Sequence, residues 1–154
     1  MAKINYWLMK SEPSTYPIEQ LKKEKKTLWD GVRSYQARNI MQTMSVGDKV
    51  LFYHSNAKPS CVVGLAEVSK KAVPDPSQFD KKSKYFDPKS DPDNPRWHCV
   101  EVKYKQTFPL NLPLGDIKAN KKLQTMALIN NSRLSVQPVE KKHFDLIVKL
   151  CDSK

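Results

Sequence analysis

The run Lys49-Val50-Leu51-Phe52-Tyr53-His54, then Ser55-Asn56-Ala57-Lys58-Pro59-Ser60, then Cys61-Val62-Val63-Gly64-Leu65-Ala66-Glu67-Val68, decides the fold class. Two segments rich in β-branched and aromatic residues flank a stretch of turn chemistry. That order predicts two strands joined by a hairpin-like loop. Gly47-Asp48 turns the chain into the first strand. Gly64, inside the second strand, predicts a bulge or a close backbone approach.

Toward the N-terminus, Ile4 to Met9 is apolar and aromatic and reads as another strand, stopped by Ser11-Glu12-Pro13-Ser14. Pro17 to Leu21 reads as a short helix with proline in its first turn. Thr27 to Val32 is too mixed to classify, and Gly31 marks a turn. Ser34 is placed to cap a helix from Tyr35 to about Met44. Toward the C-terminus, residues 74–95 hold five prolines and five aspartates. They predict a long loop with one short helical turn, and loops of that length inside a domain usually carry function. Trp97 to Tyr104 alternates polar and apolar residues, as a half-buried strand does. Phe108 to Pro113 is extended, Leu114–Asn120 and Lys121–Leu128 read as short helices, and Arg133 to Val136 as a short strand or extended element. Phe144, Ile147, Val148 and Cys151 fall at helical spacing in a final amphipathic helix. The whole predicts an α+β protein: a small mixed β-barrel decorated with short helices, one domain spanning 1–154.

With 154 residues, 39% hydrophobic and 9% aromatic, the chain can bury a core. No apolar run approaches the ~18 residues of a membrane span, and the first residues lack a signal-peptide core. Cys61, Cys99 and Cys151 form no CxxC, which leaves three buried or idle thiols suited to a reducing cytosol. The formal charge is +11 and the isoelectric point near 9.6, which points to a polyanion: RNA, DNA or an anionic membrane surface. Residues 1–60 and 101–154 each carry ten basic and five acidic side chains. An excess shared in this way describes a basic face and not a basic tail. The densest run, Lys22, Lys23, Lys25 and Lys26, reads either as a solvated helix end or as a phosphate contact.

His54, His98 and His143 have no ligand spacing with one another or with a cysteine, so no metal or other cofactor is expected. Ser55 follows His54 directly, and neighbouring strand residues point to opposite faces, which disfavours a Ser–His pair. No GxSxG or glycine-rich phosphate loop occurs among four glycines, and nothing in the spacing singles out Glu12 and Asp30 as paired acids. The aromatics carry more. Trp7, Trp29, Trp97, Tyr6, Tyr35 and Tyr53 each lie beside polar or basic residues. Such aromatics either fill the core or stack on bases whose edges the neighbouring donors read.

These stretches resemble the EVE domain family. The resemblance begins at Tyr6-Trp7-Leu8-Met9-Lys10-Ser11-Glu12-Pro13 and continues at Trp29-Asp30-Gly31-Val32-Arg33-Ser34-Tyr35-Gln36-Ala37-Arg38-Asn39. It recurs at Phe52 to Asn56, Val63 to Val68, Tyr85 to Ser90, Pro95-Arg96-Trp97 and Arg133 to Val139, covering nearly the whole chain in one order. The resemblance implies a PUA-like fold, distantly similar to the YTH domain that reads N6-methyladenine in RNA. It also implies a non-catalytic reader of modified bases: modified cytosine in DNA, or a modified base in RNA. A general RNA-binding PUA-like module without modification preference is the rival.

On this resemblance Trp29 forms one wall of a base pocket, and Trp97 or an aromatic from the preceding loop forms the other. Tyr53, Ser34, Ser55 and Ser11 offer hydrogen bonds to the base edge, and Lys10, Arg96 and Arg133 hold flanking phosphates. The family pattern carries Asn where this chain has Ser34. If that side chain faces the base, the preferred modification differs; if it only caps a helix, serine serves nearly as well. The expected setting is a monomer off the membrane, cytoplasmic, or nuclear in a eukaryote.

Overall fold

The computed structural model describes residues 3–152. Six strands form one mixed sheet: β1 (Tyr6–Ser11), β2 (Lys26–Leu28), β3 (Lys49–His54), β4 (Cys61–Pro74), β5 (His98–Pro113) and β6 (Val136–Val139). Their order is β2-β5-β4-β3-β1-β6. β1 runs parallel to β3, and the other neighbours are antiparallel. A barrel needs a ladder joining β2 to β6, and the pairings among the described residues contain none; what they show is a six-stranded mixed sheet with short helices.

The central strands are buried on both faces, which is why they read as unbroken apolar runs. Side chains alternate across a strand. Trp7, Met9, Val50 and Phe52 therefore enter one core, and Leu8, Leu51 and Tyr53 the other. Helices α1 (Ile18–Glu24) and α2 (Tyr35–Met41) cover the first face with Ile18, Leu21, Ala37 and Met41. Helices α3 (Leu114–Ala119), α4 (Ala127–Asn130) and α5 (Lys141–Asp152) cover the second with Ile117, Leu128, Phe144 and Ile147. Burying each leucine or isoleucine this completely contributes about 1.5–3 kcal/mol.

The loop between β3 and β4 spans Ser55 to Ser60, as its composition predicted, and α5 takes the amphipathic C-terminal segment. Gly64 meets both expectations for it. The pairing with β5 shifts register between Val62 and Gly64, and a Cβ there would overlap Ile18 Cδ1 and the Gln106 carbonyl oxygen. Elsewhere the strands outrun the sequence reading. β4 continues to Pro74, and β5 joins the two segments read separately. Repeated register shifts along this pair let it bend without breaking. β2, which overlaps the start of the unassigned Thr27–Val32 segment, exists because β5 offers it a partner edge. α2 ends at Met41, followed by a turn that still buries Met44. The segment Lys121–Leu128 breaks into a 3₁₀ turn (Lys121–Leu123) and α4. The proline-rich loop holds one 3₁₀ turn, Pro76–Phe79. All three cysteines are buried thiols.

Candidate functional site

Because β1 and β3 are parallel, their C-terminal ends lie side by side, with Ser11 opposite His54. The segments leaving those ends meet the β2–α2 connection, the tip of the proline-rich loop and the turn before β6. Between them lies a cavity of about 810 Å³. Lys10, Ser11, Trp29, Ser34, Ser55 and Arg133, six of the nine residues singled out from the sequence, line it.

Each of the six is held in a defined way. The Lys10 amide donates to Ser135 O at 2.9 Å and its ammonium to Ser132 O at 2.5 Å, which ties the Ser132–Ser135 turn to β1. Burial lowers the Lys10 pKa from its ordinary value. This lysine therefore positions the turn that carries Arg133. Arg133 itself is exposed and forms no ion pair or hydrogen bond among the described residues. Ser11 Oγ donates to Tyr16 O at 2.6 Å, and the Ser55 amide donates to Ser11 O at 3.0 Å. Ser34 Oγ accepts from Ala37 N at 3.2 Å and so caps α2. A hydroxyl that accepts at a cap keeps its own proton to donate. Trp29 is buried, with its ring edge-on to Phe52 at 5.4 Å and its amide donating to Val100 O. It belongs to the core and to the cavity wall together.

Three expected residues lie elsewhere. Tyr53 points into the core on the opposite face of the sheet, one residue out of phase with Phe52. Trp97 is buried against Tyr35, ring centroids 4.9 Å apart and planes at 15°, with Nε1 donating to Asp87 Oδ2 at 2.7 Å. Arg96 pairs with Asp87 at 3.3 Å and donates to the Tyr35 hydroxyl. Tyr85, from the loop before Trp97, lines the cavity in its place. Gly31, at φ +81°, passes so close that a Cβ would meet the Tyr85 ring at 2.6 Å. Only glycine satisfies both that conformation and that contact.

The residue that organises this wall is Arg33, which residue-by-residue reading of the sequence did not select. Its guanidinium donates to Tyr85 O at 2.7 and 3.2 Å, to Ser77 Oγ at 3.1 Å and to Asp75 Oδ2 at 3.1 Å. Asp75 is 1% exposed and also accepts from Gly31 N at 2.8 Å and from Ser77 N and Oγ. Burial alone would raise the Asp75 pKa; the hydrogen bonds from Ser77, Gly31 and Arg33 outweigh it and hold the carboxyl below its usual range. Asp30, at the cavity mouth, is shifted the other way. Its side chain reaches solvent, but the cavity walls strip part of its hydration and the Asp75 charge repels its own, so its pKa is raised. Gln137, fully buried, donates to Leu134 O at 2.8 Å and Asn131 O at 3.2 Å and fixes the turn behind Arg133.

The His54 ring is committed to the backbone: Nε2 accepts from Ile18 N at 3.1 Å, the start of α1. With Nε2 so engaged, it is not offered to the Ser55 hydroxyl, which lies in the loop after β3. Among the described residues no cluster of His, Cys, Asp or Glu could hold a metal ion, and no helix is long and apolar enough to cross a membrane.

Comparison with known proteins places this geometry in a lineage. The family model described as "EVE domain" matches residues 5–150. Human thymocyte nuclear protein 1 is 38% identical over 165 residues, covering 95% of this chain and 73% of that protein. The structure of a hypothetical protein from Leishmania major superposes with a TM-score of 0.95 at 48% identity, covering 97% of this chain and 96% of the other. That of human thymocyte nuclear protein 1 in complex with DNA containing 5-methylcytosine gives 0.92 at 37% identity, covering 97% and 99%. The chain belongs to the EVE domain family.

Proposed function

We propose that this chain is a non-catalytic reader of modified DNA that takes a modified cytosine, out of its stack, into the cavity between Trp29 and Tyr85. The observation that carries the reading is the convergence of six sequence-selected residues on one cavity, in a chain whose solved relative holds DNA containing 5-methylcytosine. The cavity is of ordinary ligand-site size. A base removed from its stack loses a few kcal/mol, roughly, which enclosure between aromatic rings offsets. Within the cavity Asp30 is the acceptor suited to the exocyclic amine of cytosine. Ser34 and Ser55 offer hydroxyl groups to the remaining edge, and Arg133 and Lys84 offer charge to phosphates. A methyl group in an apolar slot is worth about 1–3 kcal/mol.

Non-catalytic binding fits the commitment of His54 to the backbone of α1. The corresponding cellular setting is wherever DNA is kept, the nucleus in a eukaryote, and the working unit is the monomer. The test is a titration, at one salt concentration, of short DNA and RNA oligonucleotides carrying cytosine, 5-methylcytosine, 5-hydroxymethylcytosine or N6-methyladenine. Preference for a modified cytosine in DNA is the expected result. Equal affinity for every strand would overturn the reading, and equal affinity confined to RNA would establish the general RNA-binding rival.

A further inference from the structure

One side of the cavity does not end at its rim. The Arg33 guanidinium carbon lies 5.6 Å from the Tyr85 ring centroid and 5.1 Å from that of Trp97. Trp97 stacks on Tyr35 at 4.9 Å, and the Arg38 guanidinium carbon lies 4.7 Å from the Tyr35 centroid. Tyr85, Arg33, Trp97, Tyr35 and Arg38 thus form a continuous ladder of aromatic and guanidinium groups from the cavity wall to the surface. Its inner members are buried or clamped. Its outer members are Tyr35, which is 48% exposed, and the Arg38 guanidinium, which lies over the Tyr35 ring and ends the ladder.

An exposed tyrosine is unremarkable alone, but this one is held from several sides. Arg96 donates to its hydroxyl and sits 5.8 Å from its ring, with the Arg96 charge shared with Asp87 at 3.3 Å, so that Arg38 brings the uncompensated charge. Arg38 Nη1 donates to Arg96 O at 2.8 Å, and its other nitrogens donate to Asn39 Oδ1, so neutral acceptors orient the Arg38 charge without cancelling it. Tyr35 begins α2 directly after Ser34, which lines the cavity. A strand whose base enters the cavity has to leave over its rim. Glu12 and Asp30 make one part of that rim acidic, which repels phosphate; from Ser34 at the rim the chain runs straight into the first turns of α2, which carry Tyr35 and Arg38.

We infer that Tyr35, with Arg38 and Arg96, is a second nucleic-acid contact: it receives the nucleotide next to the one in the cavity, its base against the ladder's exposed end and its phosphate between the two guanidinium groups. This rests on the base-reading function proposed above. A stacked neighbouring base gives affinity without sequence preference, because every base has a π face. The cavity selects the modified base, and the ladder holds the strand beside it.

The experiment is a cycle between protein and DNA. Wild type and Tyr35→Leu are titrated with a short DNA strand bearing one central 5-methylcytosine, and with versions in which a single neighbouring nucleotide is abasic. Leucine keeps an apolar cover over Trp97, and melting curves of both proteins confirm the fold. Wild type should lose roughly 5- to 100-fold in affinity for the abasic strand at one neighbouring position. Tyr35→Leu should lose about as much on the intact strand and nothing further on that abasic strand. Arg38→Gln should lower the log–log salt slope by about 0.7, the effect of one single-strand phosphate contact. Multiplicative losses in the cycle, or no loss at either neighbour, would overturn the contact while leaving the base reading intact. Failure of wild type to prefer the intact 5-methylcytosine strand over its cytosine counterpart would instead strike the base reading itself.

Discussion

Replacing Asp75 by asparagine removes one charge from a carboxylate on which four donors converge: Gly31 N, Ser77 N, Ser77 Oγ and an Arg33 nitrogen. The amide keeps one oxygen. Its NH2 must then face at least one of those donors, and the Arg33 guanidinium, with 23% of its side chain exposed, loses its anionic partner. Hydrogen bonds to charged groups contribute about 1.5–3 kcal/mol each, and breaking a buried ion pair from one side costs about 3–5 kcal/mol. We therefore expect Asp75→Asn to destabilise by about 3 kcal/mol and Asp75→Ala by about 3–5 kcal/mol. At this chain length each kcal/mol moves the melting temperature by about 2–4 °C. The sign with pH is fixed too. The Asp75 pKa is lowered in the folded state. The unfolded chain therefore takes up this proton first as pH falls below the ordinary carboxylate range, and the Asp75 contribution is complete above that range and lost below it. Urea unfolding of wild type and both variants at neutral pH, repeated toward pH 3, measures both effects. A neutral-pH loss under 1 kcal/mol for Asp75→Asn, with an unchanged acid slope, would refute the account of Arg33 and Asp75 as the clamp of the cavity wall.

Gly64→Ala should cost about 1–3 kcal/mol in denaturant unfolding, because the new methyl meets a backbone carbonyl as well as Ile18. His54→Gln tests the α1 start: burial lowers the imidazole pKa, so its contribution is complete above about pH 6.5 and fades as pH falls, and glutamine should flatten the wild-type melting-temperature slope between pH 7 and 5. Arg133→Ala should weaken modified and unmodified strands alike and reduce the salt slope by about 0.7 for single strands, read from titrations at several salt concentrations. Asp30→Asn should narrow the preference for 5-methylcytosine over thymine in competition titrations by roughly 10- to 100-fold, a hydrogen bond to a charged acceptor being worth about 1.5–3 kcal/mol.

The strands of the central sheet were legible because both of their faces are buried, so Lys49–His54 and Cys61–Val68 could hardly be anything else. β2 was illegible for the opposite reason. Lys26–Leu28 has no pattern of its own and becomes a strand only because Glu101–Lys103 presents an edge. At the candidate site, the family resemblance singled out Lys10, Ser11, Trp29, Ser34, Ser55 and Arg133, and apart from Trp29, which stands in a stretch with no pattern of its own, each sits at or beside the end of an element read from sequence. Tyr53 lies off the cavity because a one-residue change of phase along β3 sends a side chain to the opposite core, and local composition carries no phase relative to a distant cavity. Trp97 and Arg96 lie off the cavity because Asp87 and Tyr35 hold them, partners 10 and 61 residues away. Arg33 was passed over because its acceptors, Asp75, Ser77 and Tyr85, lie 42, 44 and 52 residues along the chain.

The bond from the Lys10 amide to Ser135 O joins the first strand to the turn before the last one. A ribosome building this protein releases the basic N-terminal segments long before that turn exists. Until residue 135 has emerged and docked, the exposed lysines and arginines offer any nearby polyanion attraction with no cavity to judge it. On the proposed reading, discrimination thus arrives late in synthesis, together with the completed tertiary structure.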